Sequence, residues 1–279
     1  MEQTGYGPLP HGAAPVGPHA YWEEQAAAYY QEHGAFLGDA SLRWCPEGWD
    51  EDAVGLLGDI GGLDVLEVGC GAGQGTRWAV SRGARAVGID LSLGMLRVGA
   101  ALLPDGARLP SAPALPFVPL VQADARALPF AAGSFDLAFT AFGALPFVPS
   151  LAEVFAEVAR VLRPGGRWLY ATSHPFNWVF PDSPRAADLT VEHSYFAAAP
   201  YWERDAAGRL TYAEYQHTFS EHVAALGAAG FVLQQVWEPE WSDQAAPDGA
   251  WGSWGAERGA LVPSTFIVAA VLAGPGTAG

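Results

Sequence analysis

The chain has 279 residues, half of them hydrophobic, with 30 acidic against 14 basic side chains and a net charge of −16. That length suffices for one α/β domain with a sizeable core and decorations, and no apolar run approaches the roughly 18 residues of a membrane span. A charge of this sign repels polyanions at long range, which disfavours DNA, RNA or tRNA as partners and leaves a small molecule as the favoured class. Every basic residue is an arginine, and no run of them interleaves with aromatics to build a nucleic-acid platform. The two cysteines, Cys45 and Cys70, form no disulfide framework, which fits a cytoplasmic, reducing location.

Residues 1–18 are rich in glycine and proline, lack the basic-then-apolar pattern of a signal peptide, and are expected to be a disordered lead-in. Residues 19–62 predict a helical N-terminal cap: a helix from His19 to Tyr30, an irregular stretch from Phe36 to Trp49, and a helix from Asp50 to Leu57. The core is expected over 63–173. It begins with Val65-Leu66-Glu67-Val68-Gly69-Cys70-Gly71-Ala72-Gly73-Gln74-Gly75, a buried strand running into a glycine loop and then a helix. Alternate glycines strip side chains from the loop, so a ligand can lie against backbone with a helix N-terminus behind it. The next strand, Ala86-Val87-Gly88-Ile89, ends in Asp90, an acid placed to accept hydrogen bonds from both hydroxyls of a ribose.

Five prolines between Pro104 and Pro119 predict a surface loop, followed by the third-strand acid in Gln122-Ala123-Asp124-Ala125. Gly133 to Phe139 reads as a turn and an apolar fourth strand. Ser150-Leu151-Ala152-Glu153 has the form of a capping box for a helix with Leu151, Val154, Phe155, Val158 and Leu162 on one stripe, stopped by Pro164-Gly165-Gly166. A fifth strand is expected from Trp168 to Thr172. Residues 174–217 form an insertion of the length that usually builds a lid or pocket wall. Residues 218–279 complete the core: a second capping box at Thr218-Phe219-Ser220-Glu221, a helix closed by Gly227 and Gly230, and strands over Phe231–Trp237 and Thr265–Leu272. Strands alternating with helices over short connections predict a doubly wound α/β fold, its mostly parallel sheet covered on both faces. Trp22, Trp44, Trp49, Trp178, Trp202, Trp241, Trp251 and Trp254 fall in the cap, the insertion or the last loop. They serve either as a satellite core or as the wall of an aromatic pocket above the strand ends.

The dinucleotide fingerprint needs glycine at position 74, where Gln74 stands, so a nicotinamide oxidoreductase is disfavoured despite Asp90. The ordered set Glu67-x-Gly69-x-Gly71-x-Gly73, Asp90 and Gln122-Ala123-Asp124-Ala125 resembles class I S-adenosylmethionine-dependent methyltransferases of the small-molecule type, similar to methyltransferase type 11. The resemblance covers roughly residues 50–173 and continues more loosely to the C-terminus. It implies a seven-stranded Rossmann-like sheet and S-adenosylmethionine as cofactor, with S-adenosylhomocysteine as product. It further implies that Gly69, Gly71 and Gly73 bring backbone against the cofactor while Glu67 sets the loop near the methionine amine. Asp90 would take the ribose hydroxyls, Leu91 would pack on adenine, and Asp124 would accept from the adenine amine with the Ala125 amide facing the ring. Thr140 and Ala141 would offer backbone to the amino-acid end, and an aromatic among Tyr21, Trp22, Tyr29 and Tyr30 on the first helix, Tyr29 the favoured one, would sit against the sulfonium or else pack the helix on the core.

A hydroxyl acceptor needs a base, and histidine suits neutral pH. His174 follows the fifth strand and His217 precedes a capped helix, so each is a candidate base or else a hydrogen-bonded structural residue. No histidine, cysteine and carboxylate grouping has metal-ligand spacing, so no metal is expected. The activity implied is methyl transfer to oxygen or nitrogen of a small, largely apolar metabolite, as in natural product biosynthesis. Carbon methylation of an olefin or aromatic ring, and cofactor binding without transfer, stand as alternatives. Nothing in the sequence fixes the oligomeric state.

Overall fold

The computed structural model describes residues 3–7, 18–102, 118–197 and 199–274. In chain order, β1 (Gln3–Tyr6) precedes α1 (Pro18–Leu37) and the short α2 (Glu51–Val54). The core follows as β2 (Asp64–Val68), α3 (Gln74–Ser81), β3 (Arg85–Asp90), α4 (Leu93–Ala101), β4 (Leu120–Gln122), β5 (Phe135–Ala141), α5 (Leu151–Val161) and β6 (Leu162–Ser173). The remainder comprises β7 (Tyr201–Arg204), β8 (Leu210–Glu214), α6 (Phe219–Ala228), β9 (Phe231–Trp237), α7 (Ala256–Gly259) and β10 (Thr265–Leu272).

Seven strands form one sheet in the order β4-β3-β2-β5-β6-β10-β9. The first five are parallel; β10 runs antiparallel to both β6 and β9. Parallel strands buried on both faces need continuous apolar runs. Val65, Leu66 and Val68 in β2 and Leu137, Ala138 and Phe139 in β5 supply them, all fully buried. One face packs the α5 stripe of Val154, Phe155 and Val158 against Trp168, Tyr170 and Phe266. The other packs Trp44, Leu57 and Trp78 against Val65, Phe139 and Ile267. The fold is therefore the α/β, doubly wound, seven-stranded and mostly parallel arrangement expected.

Boundaries differ in instructive places. Helix α1 runs on to Leu37, beyond the expected Tyr30, and α2 stops after four residues at Gly55, whose φ is 64°. The capping box at Thr218 and Glu221 forms reciprocally, whereas the Ser150 side chain makes no cap bond to α5. Most of the predicted Pro104–Pro119 loop lies outside the described residues.

The larger difference is at the N-terminus, where 1–18 is expected to be disordered and Gln3–Tyr6 is a strand. It pairs antiparallel with β7, which pairs with β8, making a second sheet of three strands. Composition could not reveal this, because the partner edge lies in the insertion, far along the chain. Gly5 allows the approach: a Cβ there would come within 2.9 Å of the Trp202 ring. Residues 8–17 lie outside the described residues. No described helix is long and apolar enough to cross a membrane.

Candidate cofactor and acceptor site

Strand order reverses between β3-β2 and β5-β6, so the crevice at the carboxyl ends of β2 and β5 is where this architecture receives ligands. A cavity of about 540 Å³ opens there, within the roughly 300–1,000 Å³ usual for small-molecule sites. The glycine loop forms its floor. Gly69, Gly71 and Gly73 have φ of 68°, 54° and 76°, a region costly for any residue with a Cβ. At Gly69 an added Cβ would stand 2.5 Å from the Ala144 amide nitrogen, because the loop after β5 packs directly on the glycine loop.

Asp90 closes the β3 side. One carboxylate oxygen accepts from the Gly71 amide and the other from the Ser92 amide, both at 2.8 Å. These bonds fix the carboxylate at the wall. Leu91 follows, its carbonyl bonded by the Gln122 side chain at 3.1 Å, which ties the tip of β3 to β4. Asp124 also lines the cavity, gripped by Arg126: its oxygens accept from the Arg126 amide at 2.8 Å and from the guanidinium at 2.7–3.2 Å. That pairing lowers the pKa of Asp124.

Glu67 lies behind the loop. Its carboxylate accepts from Thr76 and burial pushes its pKa up to about 7. Burial thus favours its protonated form and lessens the negative charge behind the glycines.

The cavity wall thus brings together Tyr29, Glu67, Gly69, Gly71, Asp90, Leu91, Asp124, Ala125 and Ala141. Gly73 is outside the wall, as the N-cap of α3. Thr140 is fully buried behind it, its hydroxyl without a hydrogen-bond partner. This donor set suits an adenosyl group. A fixed acid would meet ribose hydroxyls, a leucine would flank the base, and bare backbone would accept the chain beyond it. At Gly71 an added Cβ would meet only Met95 Cε, at 3.2 Å, so the loop faces open space there.

The two histidines expected as bases stand elsewhere. His174 takes the Phe176 amide on Nδ1 at 3.1 Å and faces Glu238 through Nε2 at 2.9 Å. With Nδ1 accepting, Nε2 carries the proton, so neither nitrogen is open to a substrate. His217 points Nε2 at the Val148 carbonyl, 3.0 Å away. Burial lowers the pKa of both. Neither lines the cavity.

Of the tryptophans considered for an aromatic wall, only Trp22 reaches the cavity. Trp44 is buried against Glu51, Trp49 bonds the Glu240 carbonyl, and Trp254 bonds Thr265. Trp251 bonds the Tyr29 hydroxyl at 3.3 Å and stacks on His33, so it holds the α1 aromatics in place from outside. The aromatic wall comes instead from Trp22, Tyr29, Phe142, Phe147 and Tyr215.

Several wall residues escaped the sequence reading. Phe142 adopts a φ of 54°, and Gly143 after it has no room for a Cβ beside the Gly69 carbonyl. A glycine just past an apolar strand was the available signal. Arg43 comes from the irregular stretch and carried no pattern. Its guanidinium lies 5.0 Å above the Phe36 ring, pairs with Asp50 at 3.5 Å and donates to the Gly48 carbonyl. Among the described residues, no group of histidine, cysteine and carboxylate side chains could hold a metal ion.

Comparison with known proteins agrees with this geometry. Residues 66–170 match the family model described as a methyltransferase domain. A demethylmenaquinone methyltransferase from Lactococcus lactis is 34% identical over 131 residues, 46% of this chain and 49% of that protein. The chain thus spans about half the length of the curated relative it matches. The solved structure of an S-adenosylmethionine-dependent methyltransferase from Mesorhizobium loti superposes with a TM-score of 0.57 at 27% identity, covering 79% of this chain and 95% of that one. A methyltransferase from Streptomyces caelestis shares the fold at 17% identity, with a TM-score of 0.60 over 91% of this chain and 98% of the other.

Proposed function

We propose that the chain, whose residues 66–170 match the family model of a methyltransferase domain, methylates an oxygen or nitrogen of a small, largely apolar metabolite with S-adenosylmethionine as donor. The observation that carries this reading is one continuous cavity. It joins the glycine loop and Asp90 to an apolar wall of Trp22, Phe142 and Phe147. A donor end and an acceptor end under one roof are what in-line displacement requires.

S-adenosylmethionine supplies an electrophilic methyl group on a sulfonium. The chain's own residues then hold and dry the site. Asp90 orients the ribose, with its carboxylate clamped by two backbone amides. Asp124, fixed by Arg126, reads the adenine edge. Tyr29, anchored by Trp251, offers a ring to the cationic end of the donor, a contact worth roughly 0.5–2 kcal/mol. Phe142 and Phe147 exclude water, which strengthens every polar contact inside. No histidine lines the wall among the described residues. An unprotonated amine or an ionised hydroxyl would need no base from the wall.

The test is methyl transfer from S-adenosylmethionine bearing a heavy methyl group to a fractionated metabolite pool, read by mass spectrometry. A labelled small molecule is expected, with the new methyl on oxygen or nitrogen. A label on carbon would shift the reaction class, and tight binding of S-adenosylhomocysteine without label in any fraction would overturn the transfer.

A further inference from the structure

The three-stranded sheet carries a face that the cofactor site does not use. Antiparallel register sets Tyr6 opposite Tyr201, and Tyr201 opposite Glu214, in one row. Glu203 stands opposite Tyr212 in the next. Directly opposed residues, and residues two apart on one strand, share a face. The face is thus a checkerboard of tyrosine rings and carboxylates. The ring centroids of Tyr6 and Tyr201 are 5.3 Å apart, and those of Tyr201 and Tyr212 are 6.1 Å apart. Tyr201 donates its hydroxyl to Glu203 at 2.7 Å, and Glu214 takes a hydrogen bond from Tyr212.

This face meets the cavity wall through Tyr212, while its five residues stand outside the cavity lining. Tyr212 contacts Phe147 at 6.0 Å and Tyr21 at 4.7 Å between centroids, and Phe147 contacts Trp22 at 5.4 Å. Phe147 and Trp22 are both cavity wall, and so is Tyr215, the residue after Glu214. An unbroken aromatic path therefore runs from the tyrosine and glutamate face to the acceptor end of the cavity.

What the face lacks is a cation of its own. No arginine pairs with Glu203 or Glu214 among the described residues, and the chain has no lysine. The nearest guanidinium to act on Tyr6, that of Arg258, is engaged by the carbonyls of Asn177, Pro181 and Ser183. Carboxylates set among electron-rich ring faces, close to a ligand cavity and without a protein cation, match the chemistry that recognises an organic ammonium.

We propose that the Tyr6, Tyr201, Tyr212, Glu203 and Glu214 face is the specificity site for the acceptor and anchors a protonated amine borne on its apolar body, apart from the atom that receives the methyl. The proposal rests on the methyl-transfer reading above, since it names the substrate class of that same site. Burial pushes Glu214 up to about 7, with Asp182 and Glu203 as further contributions. An arriving cation relieves that repulsion, so binding draws Glu214 into its ionised form.

The experiment uses the full chain saturated with S-adenosylhomocysteine, and phenethylamine against its neutral counterpart 2-phenylethanol as probes, followed by calorimetry at pH 7.5. At least a tenfold preference for the amine is expected. It should disappear in Glu214→Gln and weaken in Glu203→Gln, while S-adenosylhomocysteine affinity is unchanged in both. Equal affinity for the two probes, or a preference that survives both substitutions, overturns the proposal. Failure of S-adenosylhomocysteine to bind the unaltered chain would instead strike the methyl-transfer reading, so the two failures are distinguishable. Because two separate carboxylates are tested, a folding defect in one variant, seen as lost cofactor affinity, leaves the other to decide.

Discussion

The two ends of the cavity are built in different ways. The cofactor end is made of backbone held by parallel strands: positive-φ glycines, amides on Asp90, and the loop after β5 lying on the loop after β2. The acceptor end is made of side chains: Trp22 on α1 and Phe142 and Phe147 after β5, with the β7–β8 hairpin packed behind Phe147 through Tyr212. Where a ligand is bound by backbone, residue type is constrained by the chain path itself. Where it is bound by side chains on a lid, the same scaffold accepts many sequences and serves many substrates.

The contrast predicts a gradient of sensitivity. Gly69→Ala should have the largest effect, about 3–4 kcal/mol of stability in denaturant unfolding together with loss of S-adenosylhomocysteine binding. Its Cβ meets backbone, which cannot move aside as a side chain could. A variant that stays stable and binds normally would show the cofactor end to be more plastic than its packing indicates.

The buried acids sharpen the comparison through pH. Glu67 has its pKa raised from 4.5 to about 7 by burial. Below pH 4.5 both folded and unfolded chains hold this proton, and the contribution to stability is complete. Between 4.5 and 7 the unfolded chain releases it first, the folded state binds more protons, and stability falls. Above 7 the contribution is gone. The loss amounts to at most about 3 kcal/mol, and Glu67→Gln should flatten it when unfolding is followed at pH 5 and 7.5. Glu214 shifts in the same direction but is partly open to solvent, so Glu214→Gln should flatten the curve less. Equal flattening would mean that the two ends are equally closed to water.

Asp90→Ala should weaken S-adenosylhomocysteine binding by at least about tenfold, since a charge-assisted contact to two hydroxyls is lost. Calorimetry measures it directly, and unchanged affinity would displace the ribose from β3. The smallest effect is expected at His174→Ala: turnover within a few-fold of the unaltered chain, in a labelled-methyl assay. A drop of about a hundredfold or more, the usual cost of losing a general base, would return His174 to the chemistry.

The cofactor end was legible because its signals are local. Gly69, Gly71, Gly73, Asp90 and Asp124 sit at strand tips in a fixed order, and each strand's burial is written in its own residues. Phe231–Trp237 and Thr265–Leu272 matched their predicted bounds for the same reason. The acceptor end was not, because its parts meet across the chain. Gln3–Tyr6 reads as lead-in until β7 exists beside it. Trp251 reads as a pocket wall until it is seen bracing Tyr29. Histidine at a strand end suggested a base, yet the orientation of His174 is set by Glu238, a long way further on. Tyr29 on α1 lines the cavity, as the reading of an aromatic first helix allowed.

The place of β10 bears on how the molecule is made. It is the last in chain order of the ten strands among the described residues, and yet it lies inside the large sheet, between β6 and β9. Until Thr265–Leu272 has been synthesised and released, β6 presents an open edge and β9 has no partner. Exposed strand edges are templates for pairing with other chains. A chain lacking Thr265–Leu272 should therefore associate through the exposed edges of β6 and β9.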